Sequence, residues 1–161
     1  MADPVTIRWI YPAGSPTMTG LPMSADHRGL TEEDVIAGGG WHRGYARVLA
    51  VASDADYGFA VVDGNGDGAE LEAETWKWDS GNWVGASSSG AGPLDHLGPL
   101  QAGGQIGDAY FAYGRAPGRQ EITISFDGHP HPVPVSPHGV WAFIKIRTSA
   151  AKDSAHRRLD Q

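Results

Sequence analysis

The run Glu121-Ile122-Thr123-Ile124-Ser125-Phe126, with Asp127-Gly128 after it and His131-Pro132-Val133-Pro134-Val135 beyond, decides how the rest of the chain is read. Ile122, Ile124 and Phe126 alternate with Glu121, Thr123 and Ser125, so an extended chain here has one apolar face and one polar face. That is how a strand half-buried in an antiparallel sheet reads. Asp-Gly is a hairpin-turn dipeptide. The strand that follows it lacks two backbone donors, at Pro132 and Pro134, which fits an edge position where one row of N–H groups has no neighbour to meet.

Outward from this hairpin the same alternation recurs. Pro137-His138-Gly139 turns the chain into residues 140–146, and Ala109-Tyr110-Phe111-Ala112-Tyr113 precedes the hairpin, giving a meander of four strands. Upstream, residues 45–52 and 57–62 flank the turn-like Ser53-Asp54-Ala55-Asp56, and residues 71–78 lead through Ser80-Gly81-Asn82 into the short Trp83-Val84. Residues 5–10 add a first strand. Eight or nine strands with scarcely any helix predict an all-β fold, an antiparallel β-sandwich of Ig-like or jelly-roll-like kind, with a small β-barrel as the alternative that periodicity does not separate from it. Residues 1–148 are expected to form this single domain, with long loops at 11–40 and 85–107 and a disordered tail at 149–161. Within the first loop, Thr31-Glu32-Glu33-Asp34-Val35-Ile36 starts a helix of a turn or two, with Thr31 as its N-cap.

Composition narrows the chemistry. A chain of 161 residues suits one domain that buries roughly 70% of its unfolded surface. Its 23 glycines and 11 prolines, in no repeat, indicate many turns and exclude collagen. There is no cysteine, hence no disulfide, no zinc–thiolate site and no thiol nucleophile. A net charge of −7 argues against nucleic acid or an acidic membrane as a partner, and no apolar run approaches the length of a membrane span. The opening Met1-Ala2-Asp3-Pro4 has neither the basic start nor the apolar core of a secretory leader, which predicts a cytoplasmic protein, export by another route being left open. Charge is uneven: residues 54–79 hold eight acids and the single base Lys77, whereas from Tyr113 onward seven bases outnumber four acids. A solvated surface explains this, and so does a basic partner or a head-to-tail homo-oligomer.

Three groups of residues carry candidate chemistry. Asp63-Gly64-Asn65-Gly66-Asp67-Gly68, with Glu74 beyond, fits the twelve-position calcium loop letter for letter. In such a loop a helix brings the last ligand back, whereas a strand leaving Ala69 carries Glu74 away. Trp76 and Trp78, two apart, favour the strand and hence a metal-free hairpin; if Ca²⁺ binds, Asp63, Asn65 and Asp67 are its ligands. On such a strand Glu72, Glu74, Trp76 and Trp78 share one face. Together with Trp83 they make a candidate binding face, because indoles stack on sugars or cations while carboxylates accept hydrogen bonds. His129, His131 and His138 bring three imidazoles near one another but lack a further ligand. Ser87–Ser89 lie in a glycine-rich stretch rather than a strained elbow, so no serine nucleophile is expected. Trp76-Lys77-Trp78-Asp79-Ser80-Gly81-Asn82-Trp83 resembles the tryptophan-turn-tryptophan hairpin of β-rich proteins from high-GC bacteria, which implies a bacterial protein and no particular activity.

The acid–base inventory of an enzyme is missing from every well-placed position. The expected function is therefore a non-catalytic β-sandwich module recognising a protein or carbohydrate partner. Its alternative is a small β-barrel enzyme that acts on a hydrophobic small molecule by shape and positioning.

Overall fold

The computed structural model describes residues 6–8 and 27–147. The strands are β1 (Thr6–Arg8), β2 (Arg47–Asp54), β3 (Tyr57–Asp63), β4 (Leu71–Asp79), β5 (Asn82–Gly92), β6 (Ala102–Ile106), β7 (Ala109–Arg115), β8 (Glu121–Phe126), β9 (His129–Pro134) and β10 (Val140–Ile146). Among the described residues one helix, α1 (Glu32–Gly39), precedes β2, and a single 3-10 turn spans Leu94–His96. The protein is mostly β, as expected. Among the described residues the strands form three sheets, ordered β2-β3-β4-β5, β10-β7-β6 and β1-β8-β9, antiparallel throughout except for the β1–β8 pair. None of these sheets closes on itself, so the described residues do not form the barrel weighed as the alternative. Among the described residues no helix is long and apolar enough to cross a membrane.

The deciding hairpin forms as its sequence dictates. Ile122, Ile124 and Phe126 of β8 are buried while the residues between them are not. Asp127 and Gly128 both take left-handed backbone angles (φ 53° and 74°), the two-residue turn whose twist matches that of the flanking strands. Beyond it, β9 is an edge strand, with prolines at 130, 132 and 134.

Alternation then builds the interior, because each central strand serves two cores. From β3, Phe59 and Val61 join Leu71 and Ala73 of β4 and Val140, Ala142 and Ile144 of β10 in one apolar cluster. Trp141 and Phe143 of β10, with Tyr110 and Ala112 of β7, point the other way and meet Ile122, Ile124, Phe126 and Val133. A third cluster covers the far side of the four-stranded sheet, where Ala60, Val62, Trp76 and Trp83 pack under Leu30 and Val35. Full burial of side chains this large contributes about 1.5–3 kcal/mol each. The polypeptide thus alternates sheet and apolar layer from α1 to the β1-β8-β9 sheet.

The stretch expected as one long loop at 85–107 differs from that expectation. Residues 85–92 continue β5, which runs Asn82–Gly92, and residues 102–106 form β6 on β7, leaving only 93–101 between them as connection. Gly, Ala and Ser have little strand preference of their own, and here the partner strand supplies what they lack. Glu74 and Thr75 of β4 pair with Ser88 and Ser87, and the Thr75 and Ser87 hydroxyls bond each other at 2.5 Å. The helix expected at Thr31 is present as α1. Residues 11–26 of the expected first loop and the tail at 149–161 lie outside the described residues, as do residues 5, 9 and 10 of the strand expected at 5–10, of which 6–8 pair with β8.

Candidate binding site

Glu72, Glu74, Trp76 and Trp78 do share one face of β4, while Leu71 and Ala73 on the opposite face belong to the central cluster. That face is roofed. The capping box of α1 fixes the start of the roof: the Thr31 side chain accepts from the Asp34 N–H (3.2 Å) and the Asp34 carboxylate accepts from the Thr31 N–H (2.9 Å). Arg28 clamps the same carboxylate at 2.6 Å, and these bonds hold Asp34 down to about 2. At the other end, a β-carbon on Gly38 would stand 2.9 Å from the Trp76 ring, so only glycine lets the helix approach this closely. Trp76 is 0% exposed and Trp83 is buried, its indole N–H donating to the Arg28 carbonyl (3.1 Å). Trp78 is half-buried, with its ring 5.5 Å from that of Trp83 and 4.7 Å from His27. His27 in turn sets Nε2 3.1 Å from Asp56. The aromatic part of the expected face is thus largely core, with Glu72 and Trp78 its only half-exposed members.

Glu74 is the unusual group beneath this roof. Only 7% exposed, its carboxylate accepts the Trp41 indole N–H at 3.2 Å. Burial pushes its pKa up and nearby Glu72 adds to the rise, while the Trp41 and Trp76 indoles pull it back. Trp41 reaches it by lying between two glycines: a β-carbon would come within 2.7 Å of its ring at Gly39 and within 2.5 Å at Gly64.

The residues of the calcium pattern form a turn that is satisfied from within. Asp63 is buried and its two carboxylate oxygens accept from Gly66 N–H (3.0 Å) and Gly68 N–H (2.8 Å), while Asp67 accepts from Ala69 N–H (3.0 Å). Asn65 and Asp67 are exposed. Glu74 does not join them, because it pairs with Ala60 on the ladder, three rungs from the Asp63–Leu71 pair and roughly 10 Å along the strand. Among the described residues no group of three or more His, Cys, Asp or Glu is arranged to hold a metal ion. His131 packs against Phe126 and Phe143, and His129 and His138 are exposed.

What sequence reading missed lies beside this turn. Residues 40–46 join α1 to β2, and within them His42 organises a tight loop: its carbonyl accepts from Tyr45 N–H (3.0 Å) and Ala46 N–H (2.9 Å), and its Nδ1 accepts from Gly44 N–H (3.1 Å). The loop stacks the His42 ring on that of Tyr45, with centroids 4.4 Å apart and planes at 23°. Tyr45 is 63% exposed, the most open large apolar side chain among the described residues. The Tyr45 backbone in turn presses on the acidic turn, so that a β-carbon on Gly66 would stand 2.2 Å from the Tyr45 carbonyl oxygen. The Tyr45 backbone therefore lies against the turn that carries the exposed Asn65 and Asp67, while its ring stacks on His42. The available signal was the aromatic density of Gly40-Trp41-His42-Arg43-Gly44-Tyr45, where glycine otherwise dominates.

Comparison with protein-family models, with curated proteins and with solved structures finds no match for this chain.

Proposed function

We infer that the protein is a non-catalytic β-sandwich module that binds a carbohydrate through Tyr45, together with Asn65 and Asp67 of the turn that the Tyr45 backbone packs against. The observation that carries this reading is the stacked pair of His42 and Tyr45, in which Tyr45 stays 63% exposed. An aromatic ring with an apolar face and a polar tip suits the C–H face of a sugar. Asn65 offers donors and an acceptor and Asp67 an acceptor for sugar hydroxyls. Because the ring stacks on His42 before any ligand arrives, less ordering entropy is lost on binding. A positively charged protein partner is the second reading, favoured by the acids between residues 54 and 79.

The test is a glycan array followed by calorimetric titration of any glycan retained, with wild type and Tyr45→Ala. Binding that weakens at least about tenfold in the variant, at unchanged melting temperature, is the expected result, corresponding to loss of roughly 1.4 kcal/mol. Retention of no glycan, or equal binding by Tyr45→Ala, would end the carbohydrate reading.

A further inference from the structure

The three sheets present six edges among the described residues, and five are shielded or short. The β2 and β10 edges lie side by side, with Ile146 N–H donating to the Asp54 carboxylate at 2.9 Å and Lys145 3.8 Å from it. On β9, Pro130, Pro132 and Pro134 remove every second donor. β1 has three residues and β6 five. The sixth edge is β5, the longest strand, whose eleven residues Asn82-Trp83-Val84-Gly85-Ala86-Ser87-Ser88-Ser89-Gly90-Ala91-Gly92 include no proline and no charge. Every residue from 84 to 90 is exposed, Val84 among them at 49%. Among the described residues, the backbone of β5 makes no hydrogen bonds beyond its pairing with β4.

We propose that this edge pairs with the β5 edge of a second copy of the chain, in antiparallel register about a two-fold axis centred on Ser88. Two bulges, at Ala86 and Ala91, bend β5 but leave Ser87-Ser88-Ser89-Gly90 in regular register with β4. In antiparallel self-pairing, opposed residues must point to the same face, so their numbers differ by an even count. Ser88 then opposes its own copy and Ser87 opposes Ser89. All of these side chains end in a hydroxyl. Nothing in the register clashes or repels, although each protomer carries a net charge of −7. That self-complementarity favours a second copy over a foreign strand, and a closed two-fold pair uses both edges and leaves none to propagate. The join makes one eight-stranded sheet from two four-stranded ones. Strand pairing alone buries less than a standard interface, so the dimer belongs to the weak, concentration-dependent class.

Sedimentation velocity from low micromolar to near-millimolar protein, on wild type and Ser88→Lys, tests this. A lysine at 88 faces its own copy across the axis, where like charges directly opposed destabilise, while within one protomer it lies beside Glu72 and does not threaten folding. Wild type should associate with rising concentration and Ser88→Lys should do so at least about tenfold more weakly. Amide hydrogen exchange of the wild type at the two concentration extremes locates the contact without any variant, through protection gained within residues 84–90. A wild type that stays monomeric throughout would overturn the proposal, as would a folded Ser88→Lys that associates equally well or protection gained elsewhere.

Discussion

Glu74 places a carboxylate in a setting that favours its protonated form, and this has a definite pH consequence. Its folded pKa is raised, chiefly by burial, above the ordinary glutamate value. Between the unfolded and the folded pKa the native state therefore holds more proton than the unfolded one, and stability falls as pH rises through that window. The contribution of Glu74 is fully present below its unfolded pKa and lost above its folded one. Glu74→Gln keeps an oxygen that accepts from Trp41 and removes the titration. Chemical denaturation across the acid-to-neutral range should find the variant more stable than wild type at neutral pH, with the gap closing on acidification. A gap of constant size would mean that Glu74 does not titrate differently on folding. Tyr45 belongs to the same scale with the opposite signature, since replacing so exposed a ring should alter binding and leave stability alone. Glu74 was visible in the sequence as one carboxylate beside tryptophans on a strand face. Its burial was not, because that depends on Trp41 and α1, distant in the chain and brought over β4 only by the fold.

At the scale of elements, α1 shows how few residues can hold a roof in place. Eight residues are too short to be helical by propensity alone, so the capping box, the Arg28 clamp on Asp34 and the packing of Val35 keep it folded. Thr31→Ala removes the acceptor for the Asp34 N–H and should cost about 1 kcal/mol. Because the helix lies over Trp76, acrylamide should also quench tryptophan emission more readily in that variant; unchanged stability and quenching together would show that the cap does not hold the roof. This cap was legible as Thr31 followed by acids, and the β8–β9 hairpin was legible from alternation, Asp-Gly and spaced prolines. β5 was not legible. Its Gly, Ala and Ser residues have no strand preference, and they are extended because β4, with Thr75 and Glu72 as hydrogen-bonding partners, makes them so. The error ran from composition to loop, when pairing across a hairpin decides the matter.

For the whole molecule, the sharing of strands between apolar layers decides how it comes apart. β3 gives Phe59 and Val61 to the central cluster and Ala60 and Val62 to the one under α1; β10 gives Val140, Ala142 and Ile144 to the central cluster and Trp141 and Phe143 to the third sheet. No layer can dissolve without pulling one face off a strand on which its neighbour depends. Unfolding should therefore be a single transition, although three separate sheets are present. Phe143→Ala and Trp76→Ala, at opposite ends of the stack, are each expected to cost about 3–5 kcal/mol, as large-to-small changes in packed cores do. Against a typical total of about 5–15 kcal/mol, either removes a large share of the stability. The informative measurement follows denaturant unfolding in both variants by far-ultraviolet circular dichroism, which reports all the sheets, and by tryptophan fluorescence. If the layers are coupled, the two probes coincide in each variant and the whole curve moves to lower denaturant. If Phe143→Ala instead gave an early circular dichroism step while the tryptophans under α1 stayed native, the β1-β8-β9 sheet would be an independent unit, and the shared faces of β7 and β10 would not transmit its loss.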